Sequence, residues 1–161
     1  MRNWTLLTAV AVAFVLPTHP AKAAAGDPLQ NVYVFPGARD DNSGVHAGVA
    51  TAVICTTFSS TTEKIRWIAL NFDGSKVGDV NFTTTSGSDT RTMTTHSTAL
   101  YDSDVIVSNP GPLLNQGAIY VFATTTNIVC TANIVAAAST TPQGIDLHAL
   151  RATPPFPGSQ E

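Results

Sequence analysis

The chain of 161 residues carries little charge, and what charge it has is scattered. Only 12% of its residues are Asp, Glu, Lys or Arg, and no cluster of lysine or arginine occurs after the first 23 residues. Nucleic acids and anionic membrane surfaces are bound mainly through dense positive charge, so we expect neither of them as a partner. The shortage of charge therefore argues against two broad classes of binding protein.

Sequence signatures of catalysis and metal binding are also missing. The G-x-S-x-G turn of common exported serine hydrolases is absent, and so is a helix-like apolar repeat to follow it. No C-x-x-C, H-x-H or H-E-x-x-H occurs. Nothing selects a pair of glycosidase carboxylates, because only one Glu precedes the Pro-rich C-terminal end. We therefore expect no catalytic residue, no metal and no cofactor, and we predict that the protein is not an enzyme.

Three histidines follow the N-terminal segment, and each is isolated in the sequence: His46, His96 and His148. His96 stands next to Ser97, but neighbouring residues of a strand point to opposite faces, so this is not a nucleophile with its base. We predict that all three are surface or rim residues with ordinary hydrogen bonds. A three-histidine zinc site and a Ser/His/Asp set assembled from distant loops stay open as alternatives.

Two Asp-rich stretches resemble parts of calcium loops, namely Arg39–Gly44 (RDDNSG) and Asp102–Asp104 (DSD). Calcium takes about six to eight oxygen ligands. The first stretch lacks the regular alternation of an EF-hand, and Thr51 stands where the bidentate Glu of such a loop would be. Asp and Asn side chains also cap their own backbone in turns. We therefore interpret both stretches as turns.

The first 23 residues have the pattern of a signal peptide. Arg2 supplies a positive charge, Leu6–Leu16 is apolar, and residues 21–23 (AKA) have the small-x-small pattern of a cleavage site. The apolar stretch is too short for the roughly 20 residues of a spanning helix. We predict cleavage near Ala23 and a secreted or periplasmic protein, without membrane insertion of the mature chain. Cleavage removes two of the eight cationic residues and leaves six against eleven acidic ones.

The rest of the chain has the composition and pattern of a β-protein. Thr, Val and Ile are frequent, and these β-branched residues fit a pleated sheet better than a helix. The predicted strands are Val32–Phe35, Gly48–Phe58, Lys64–Phe72, Lys76–Thr83, Thr90–Thr95, Asp104–Val107, Gly117–Ala123, Asn127–Val135 and Gly144–Arg151. We therefore predict a single all-β sandwich of about eight or nine short strands over residues 24–153, followed by a Pro-rich tail at 154–161.

Two turns are expected to form tight hairpins. Asp73-Gly74 separates two predicted strands, and Gly accepts a positive φ at no steric cost. Three threonines, Thr124–Thr126, separate two other strands, and this short spacing favours a second hairpin. The strand Lys64–Phe72 carries apolar residues on both faces, so we expect it to be central and covered at least in part from both sides.

The only two cysteines lie in matching settings, VICTT at Val53–Thr57 and IVCTA at Ile128–Ala132. In both, the alternation places Cys on the apolar side of its strand. An exported chain with two cysteines meets an oxidising compartment and permits one pairing. We therefore predict a Cys55–Cys130 disulfide between packed sheets or neighbouring strands.

The order of Cys55, Trp67 and Cys130 resembles the immunoglobulin fold, in which a core Trp packs on a disulfide between two sheets. The resemblance implies a sandwich that is Ig-like in general architecture. An immunoglobulin domain usually has Tyr two residues before the second Cys, where this chain has Ile128. The succession FPGARDDNSGVHAGVATAVICTTFS, THSTALY and IVCTANIV is also similar to that of small uncharacterised exported bacterial β-sandwich proteins, and this similarity implies no activity and no functional residues.

These observations favour a non-catalytic binding or structural module of the cell envelope or the extracellular space, with a protein or a glycan as its partner. Trp67 stands between apolar neighbours, and five other aromatic residues alternate with apolar ones: Tyr33, Phe35, Tyr101, Tyr120 and Phe122. We interpret these six as core residues, so they select no sugar-stacking platform. One alternative is a carbohydrate-binding module, by analogy with other β-sandwiches. A secreted hydrolase with a site assembled from loops is the other.

Overall fold

The computed structural model describes residues 27–41, 45–84, 88–103, 105–106, 114–141 and 144–152. The predicted signal peptide and the Pro-rich tail lie outside these residues. The described chain forms ten strands: β1 (Gln30–Asp40), β2 (Val49–Thr57), β3 (Lys64–Asn71), β4 (Lys76–Thr83), β5 (Thr90–Thr94), β6 (Val105–Ile106), β7 (Leu114–Ala123), β8 (Ile128–Ala136), β9 (Gly144–Leu147) and β10 (Leu150–Arg151). Within the described ranges no helix is long and apolar enough to cross a membrane.

The strands form two sheets that pack face to face. Sheet A has the order β10-β1-β7-β3-β4, and sheet B has the order β6-β5-β2-β8-β9. Neighbouring strands are antiparallel, except for β5 and β6, which are parallel. The described chain is therefore an all-β sandwich, as the sequence predicts.

The core lies between the two sheets and is built from alternate residues of the strands. In β3, Ile65, Trp67 and Ala69 are buried, while Arg66 and Ile68 between them are only half-buried. Side chains of six other strands join them in one cluster that includes Phe35, Val53, Val77, Met93, Ile119, Val121 and Ile128. Trp67 has no exposed surface, which confirms that it belongs to the core.

Strand β1 is longer than the sequence predicts. Its predicted end at Phe35 is wrong, because pairing with β7 continues through Pro36 to Asp40. The register shifts between Pro36 and Ala38, and Gly37 there has a positive φ of 84°. Such a bulge takes up an extra residue and bends the strand, after which pairing resumes. Proline is tolerated at bulges, so it does not end this strand.

One of the two predicted hairpins forms. The hairpin at Asp73-Gly74 is confirmed, because β3 and β4 pair on either side of it and Gly74 has a φ of 80°. The hairpin at Thr124–Thr126 is wrong, because β7 belongs to sheet A and β8 to sheet B. Tight hairpins need positive φ, which a β-branched residue disfavours. These threonines instead carry the chain from one sheet to the other, with Thr124 and Thr125 buried.

The C-terminal predicted strand, Gly144–Arg151, is divided into two. Strand β9 pairs with β8 in sheet B, and β10 pairs with β1 in sheet A. The chain therefore passes between the sheets at His148 and Ala149, and each short strand forms one edge of its sheet. Of the predicted strand Asp104–Val107, the structure describes only Val105–Ile106, which pairs with β5.

The predicted disulfide is confirmed. Cys55 and Cys130 are bonded, and their Cα atoms are 4.1 Å apart. They face each other on β2 and β8, which are neighbouring antiparallel strands. The bond therefore lies within sheet B, whereas the immunoglobulin disulfide joins two sheets. The Ig-like resemblance holds for the general two-sheet architecture but not for the placement of this bond.

Candidate functional site

His96 and Asp40 form a buried pair beside the end of β1. Nδ1 of His96 lies 2.8 Å from Oδ1 of Asp40, and Nε2 lies 2.9 Å from the carbonyl oxygen of Ala47. A carbonyl oxygen only accepts, so Nε2 carries a hydrogen and donates it to Ala47. Nδ1 makes the second contact of the ring, with the Asp40 carboxyl group. Both ring nitrogens are therefore used within the protein.

This pair does not have the geometry of a catalytic base. His96 is 4% exposed and Asp40 has no exposed surface, so neither group faces an open pocket. The expectation that His96 lies on the surface or rim is wrong, because the chain from β1 to β2 folds over it through the Ala47 contact. His46 and His148 are exposed, as expected. Through His96, the segment that follows β5 is hydrogen-bonded to the end of β1 and to the connection between β1 and β2.

Asp40, Asp41 and His96 are the described residues whose grouping most resembles a metal site, with ligand atoms within 4.8 Å of one another. They supply one nitrogen and two carboxyl groups, fewer than the roughly six to eight oxygens of calcium. The ring nitrogen that faces the carboxylates is also the one bonded to Asp40. The group therefore fits a hydrogen-bonded pair better than a metal centre. Residues 42–44 and 104, which complete the two Asp-rich stretches, lie outside the described part of the chain.

A small polar pocket of about 170 Å³ opens beside His46, Ser97, Tyr101 and Ser103. The backbone N–H of His46 donates to the carbonyl oxygen of Ser97 at 3.2 Å. Among the described residues, no hydrogen bond joins the His46 ring to a hydroxyl group. The pocket therefore lacks the nucleophile and base contact that acyl transfer needs.

A second buried carboxylate, that of Glu63, is held entirely by threonines among the described residues. Thr61 Oγ1 donates to one carboxylate oxygen at 3.0 Å, and Thr124 Oγ1 donates to the other at 2.5 Å. Thr124 Oγ1 also accepts the backbone N–H of Lys64 at 3.0 Å. Glu63 has no exposed surface, so it is not available to a ligand. It stabilises the crossing between the sheets at Thr124–Thr126, where the sequence predicts a hairpin.

The side of sheet A that faces away from the core carries an apolar surface. We define the outer face of sheet A as Val34, Pro36, Ile68, Leu70, Ala118, Tyr120 and Phe122. Val34, Tyr120 and Ile68 lie in register across β1, β7 and β3, and so do Pro36, Ala118 and Leu70. These residues alternate with the buried ones, so they point away from sheet B. The described residues form no third layer over them.

At one end this face continues into a groove of about 460 Å³. Phe72, which is 73% exposed, lines the groove together with Tyr120, Asn71 and Gln116. On the β4 side, the Arg66 guanidinium forms two hydrogen bonds with Asp79, at 2.7 and 2.6 Å, and Lys76 approaches the same carboxylate at 3.0 Å. These hydrogen bonds, chiefly that of Arg66, lower the pKa of Asp79 well below its usual range. A charged rim therefore borders the apolar face.

The outer side of sheet B is more polar, with threonines around Ile54 and the exposed Val129. Ile54 lies between Thr92 and Thr131 in register, and Thr56 lies beside Thr90 with their hydroxyl groups 2.8 Å apart. An antiparallel sheet with one solvated face alternates apolar and polar residues in this way. Sheet A departs from the pattern, since both of its faces are apolar.

The sequence carries part of the signal for this face. The two-sided apolar pattern of β3 predicted that Ile68 and Leu70 would be covered at least in part, and they are half-buried by their neighbours within the sheet. The interpretation of Tyr120 and Phe122 as core residues is wrong, because the residues buried in β7 are Ile119 and Val121.

No family model matches the chain, and it has no significant match among curated proteins or solved structures.

Proposed function

We propose that this protein is an exported, non-catalytic binding module of the cell envelope or the extracellular space, and that its partner packs on the outer face of sheet A. The observation that carries this proposal is the contrast between the two outer surfaces of the sandwich. Sheet B presents mostly threonines to solvent, with Ile54 and Val129 isolated among them, whereas sheet A presents Val34, Ile68, Leu70 and two aromatic rings side by side. A contiguous apolar patch on the surface of a domain is typical of an interaction site.

Export is supported by two independent features of the chain. The first 23 residues have the charge, apolar stretch and cleavage pattern of a signal peptide. The Cys55–Cys130 disulfide requires an oxidising compartment to persist. We therefore place the mature protein in the periplasm or outside the cell.

A protein is the partner that this surface favours. Its residues are largely aliphatic, and aliphatic and aromatic side chains together form the water-free centre of protein interfaces. Arg66, Lys76 and Asp79 supply a charged rim, which such interfaces also have. Sugars, in contrast, are held by aromatic rings and by hydrogen bonds to polar groups, and aliphatic residues provide neither.

A glycan is the second candidate, and the groove favours it. The rings of Phe72 and Tyr120 and the amides of Asn71 and Gln116 line the same space. Rings and amides are the groups that a sugar would use. A secreted hydrolase has less support, because the His96–Asp40 pair is enclosed and both of its ring nitrogens are occupied.

Site-specific photo-cross-linking in the producing cell tests the proposal. A photoreactive amino acid replaces Ile68 on the outer face of sheet A, and in a control protein it replaces Thr131, which is exposed on the outer side of sheet B. We expect irradiation to give a discrete heavier species from position 68 and none from position 131. Peptides of another protein in that species support the proposed partner, and sugar masses support the glycan instead.

A matched pair of substitutions completes the test once the cross-linked partner is purified. Ile68→Lys places a charge on the apolar face beside Tyr120, whereas Thr131→Lys places the same charge on the outer side of sheet B. We expect the first to weaken binding strongly and the second to leave it unchanged. Equal cross-linking from both positions, or no adduct from position 68, contradicts the proposed surface.

A further inference from the structure

The four edges of the two sheets differ greatly in length. Strands β6 and β10 have two residues each, β9 has four, and β4 has eight. A sheet edge presents unpaired backbone groups that can pair with another strand, and short edge strands limit this pairing. Of the four terminal strands in the described chain, β4 is therefore the longest.

Hydrogen bonds within sheet A show which groups of β4 point outward. The backbone N–H of Thr84 donates to the carbonyl oxygen of Glu63 at 2.8 Å, in the same register as the β3–β4 pairing. Because hydrogen-bonded pairs alternate along antiparallel strands, Phe82 and Val80 also bond toward β3. The backbone N–H and C=O groups of Asp79, Asn81 and Thr83 then point away from the sheet. The side chains of Asn81 and Thr83 are exposed.

We propose that β4 is a homodimerisation edge, at which β4 of a second copy pairs antiparallel about a two-fold axis at Asn81. In this register Asn81 faces Asn81, Asp79 faces Thr83, and Val80 faces Phe82. Apolar side chains thus meet on the core side and polar ones on the outer side, which cross-strand pairing favours. The Asn81 pair and the two symmetry-related Asp79–Thr83 pairs form about six new backbone hydrogen bonds, two for each pair.

Charge favours this register of the second copy, with the two-fold axis at Asn81, over the register in which the axis lies at Asp79. Centring the axis on Asp79 would place two carboxylates directly opposite each other, which destabilises a sheet. Within each copy, Arg66 and Lys76 hold Asp79 on the outer side, so its charge does not block the edge. The register shift between Ala69 and Leu70 distorts the start of β4, which limits regular pairing to its second half.

The dimer would join the two copies of sheet A into one continuous sheet. Their outer faces would then lie side by side on the same surface, because the strand pairing continues the sheet. This inference does not rest on the proposed partner of the outer face, since it uses the edge of β4 and not the face.

A substitution that acts only on the outward backbone group tests the dimer. Asn81→Pro removes an N–H that takes no part in the pairing of β3 with β4, and proline is tolerated where this group faces solvent. Asn81→Thr keeps the N–H and serves as the control. By sedimentation velocity over a range of concentrations, we expect the wild type and Asn81→Thr to form dimers. We expect Asn81→Pro to weaken association by about tenfold or more.

Cysteine substitutions test the register without depending on how Asn81→Pro folds. Two copies of Asn81→Cys would have their Cα atoms about 5.5 Å apart and should form an intermolecular disulfide under mild oxidation. In Thr83→Cys the two sulfur-bearing residues would lie about 13 Å apart along the strands, too far to bond. A wild type that is monomeric at every concentration overturns the inference. So does a dimer that Ile68→Lys dissociates while Asn81→Pro leaves it intact.

Discussion

Buried polar side chains in this protein form hydrogen bonds with residues that are distant in the sequence. His96 and Asp40 are 56 residues apart, and Thr124 and Glu63 are 61 residues apart. A single Asp or Thr in a sequence carries no sign of such a partner, so neither contact could be predicted from spacing. Trp67 could be assigned to the core, because the apolar alternation around it is a local pattern that the structure preserves.

We expect Trp67→Ala to lower the free energy of unfolding by about 3–5 kcal/mol, through lost burial and a residual cavity. Trp67→Phe should cost much less. The indole N–H has no hydrogen-bond partner among the described residues, so its removal leaves no other group unsatisfied. Denaturant melts of the three proteins measure both effects. A loss below about 1 kcal/mol for Trp67→Ala would mean that the ring is not a core element.

Thr124 joins the buried carboxylate of Glu63 to the partly buried N–H of Lys64, and its hydroxyl can be removed with little change in volume. Thr124→Val leaves one oxygen of Glu63 without this donor and the N–H of Lys64 without its acceptor. We expect a loss of about 2–3 kcal/mol in the free energy of unfolding, since buried unsatisfied groups are costly. Thr124→Ser keeps the hydroxyl and should lose much less. Equal losses for the two variants would show that the methyl group, not the hydroxyl, is what matters.

Asp79 makes stability depend on pH in a defined direction. Its hydrogen bonds from Arg66, and then from Lys76, lower its pKa in the folded protein. The unfolded value is about 3.9, so the stabilisation is fully present above that pH and is lost as the pH falls toward the folded value. The difference in unfolding free energy between wild type and Asp79→Asn should therefore be largest near neutral pH and shrink in acid. Because the Arg66–Asp79 ion pair is near the surface, high salt should also reduce this difference in unfolding free energy. A difference that grows in acid would contradict the assignment.

The positions of strands follow from local pattern, but their partners do not. The predicted bounds of β4, Lys76–Thr83, agree with the structure, and those of β2 and β3 agree to within a residue at each end. The prediction of a hairpin at Thr124–Thr126 is wrong, because adjacency in sequence does not determine which sheet a strand joins. The sequence does not predict the bulge at Gly37 either, since Pro36-Gly37 is typical of a turn and here lies inside a strand.

The disulfide binds two strands that already pair over nine residues. The double substitution of Cys55→Ala and Cys130→Ala should therefore keep the fold. It should lower the free energy of unfolding by about 4 kcal/mol, because the unfolded chain regains the freedom of a long loop. Intact mass and thiol alkylation, with and without reductant, check the bond in the wild type. Free alkylation of both cysteines without reductant would refute it.

At the scale of the whole molecule, the sandwich has one mostly polar outer surface and one mostly apolar one. The apolar surface could not be predicted from composition, because Tyr120 and Phe122 alternate with buried residues and either set was a plausible core. The sandwich itself could be predicted, since short strands and turn residues recur along the chain. The function proposed for the protein depends on the outer face of sheet A being bare in the isolated protein.

Hydroxyl-radical footprinting of the dilute protein lacking residues 1–23, with oxidation read out by mass spectrometry, measures that exposure directly. We expect oxidation at Phe72 and Tyr120 and protection of Trp67 and Met93, which have no exposed surface. Met93 is a stringent internal control, because its thioether is readily oxidised when it is accessible. Protection of Phe72 and Tyr120 equal to that of Trp67, and independent of protein concentration, would mean that the face is already covered within the chain and is not a binding surface.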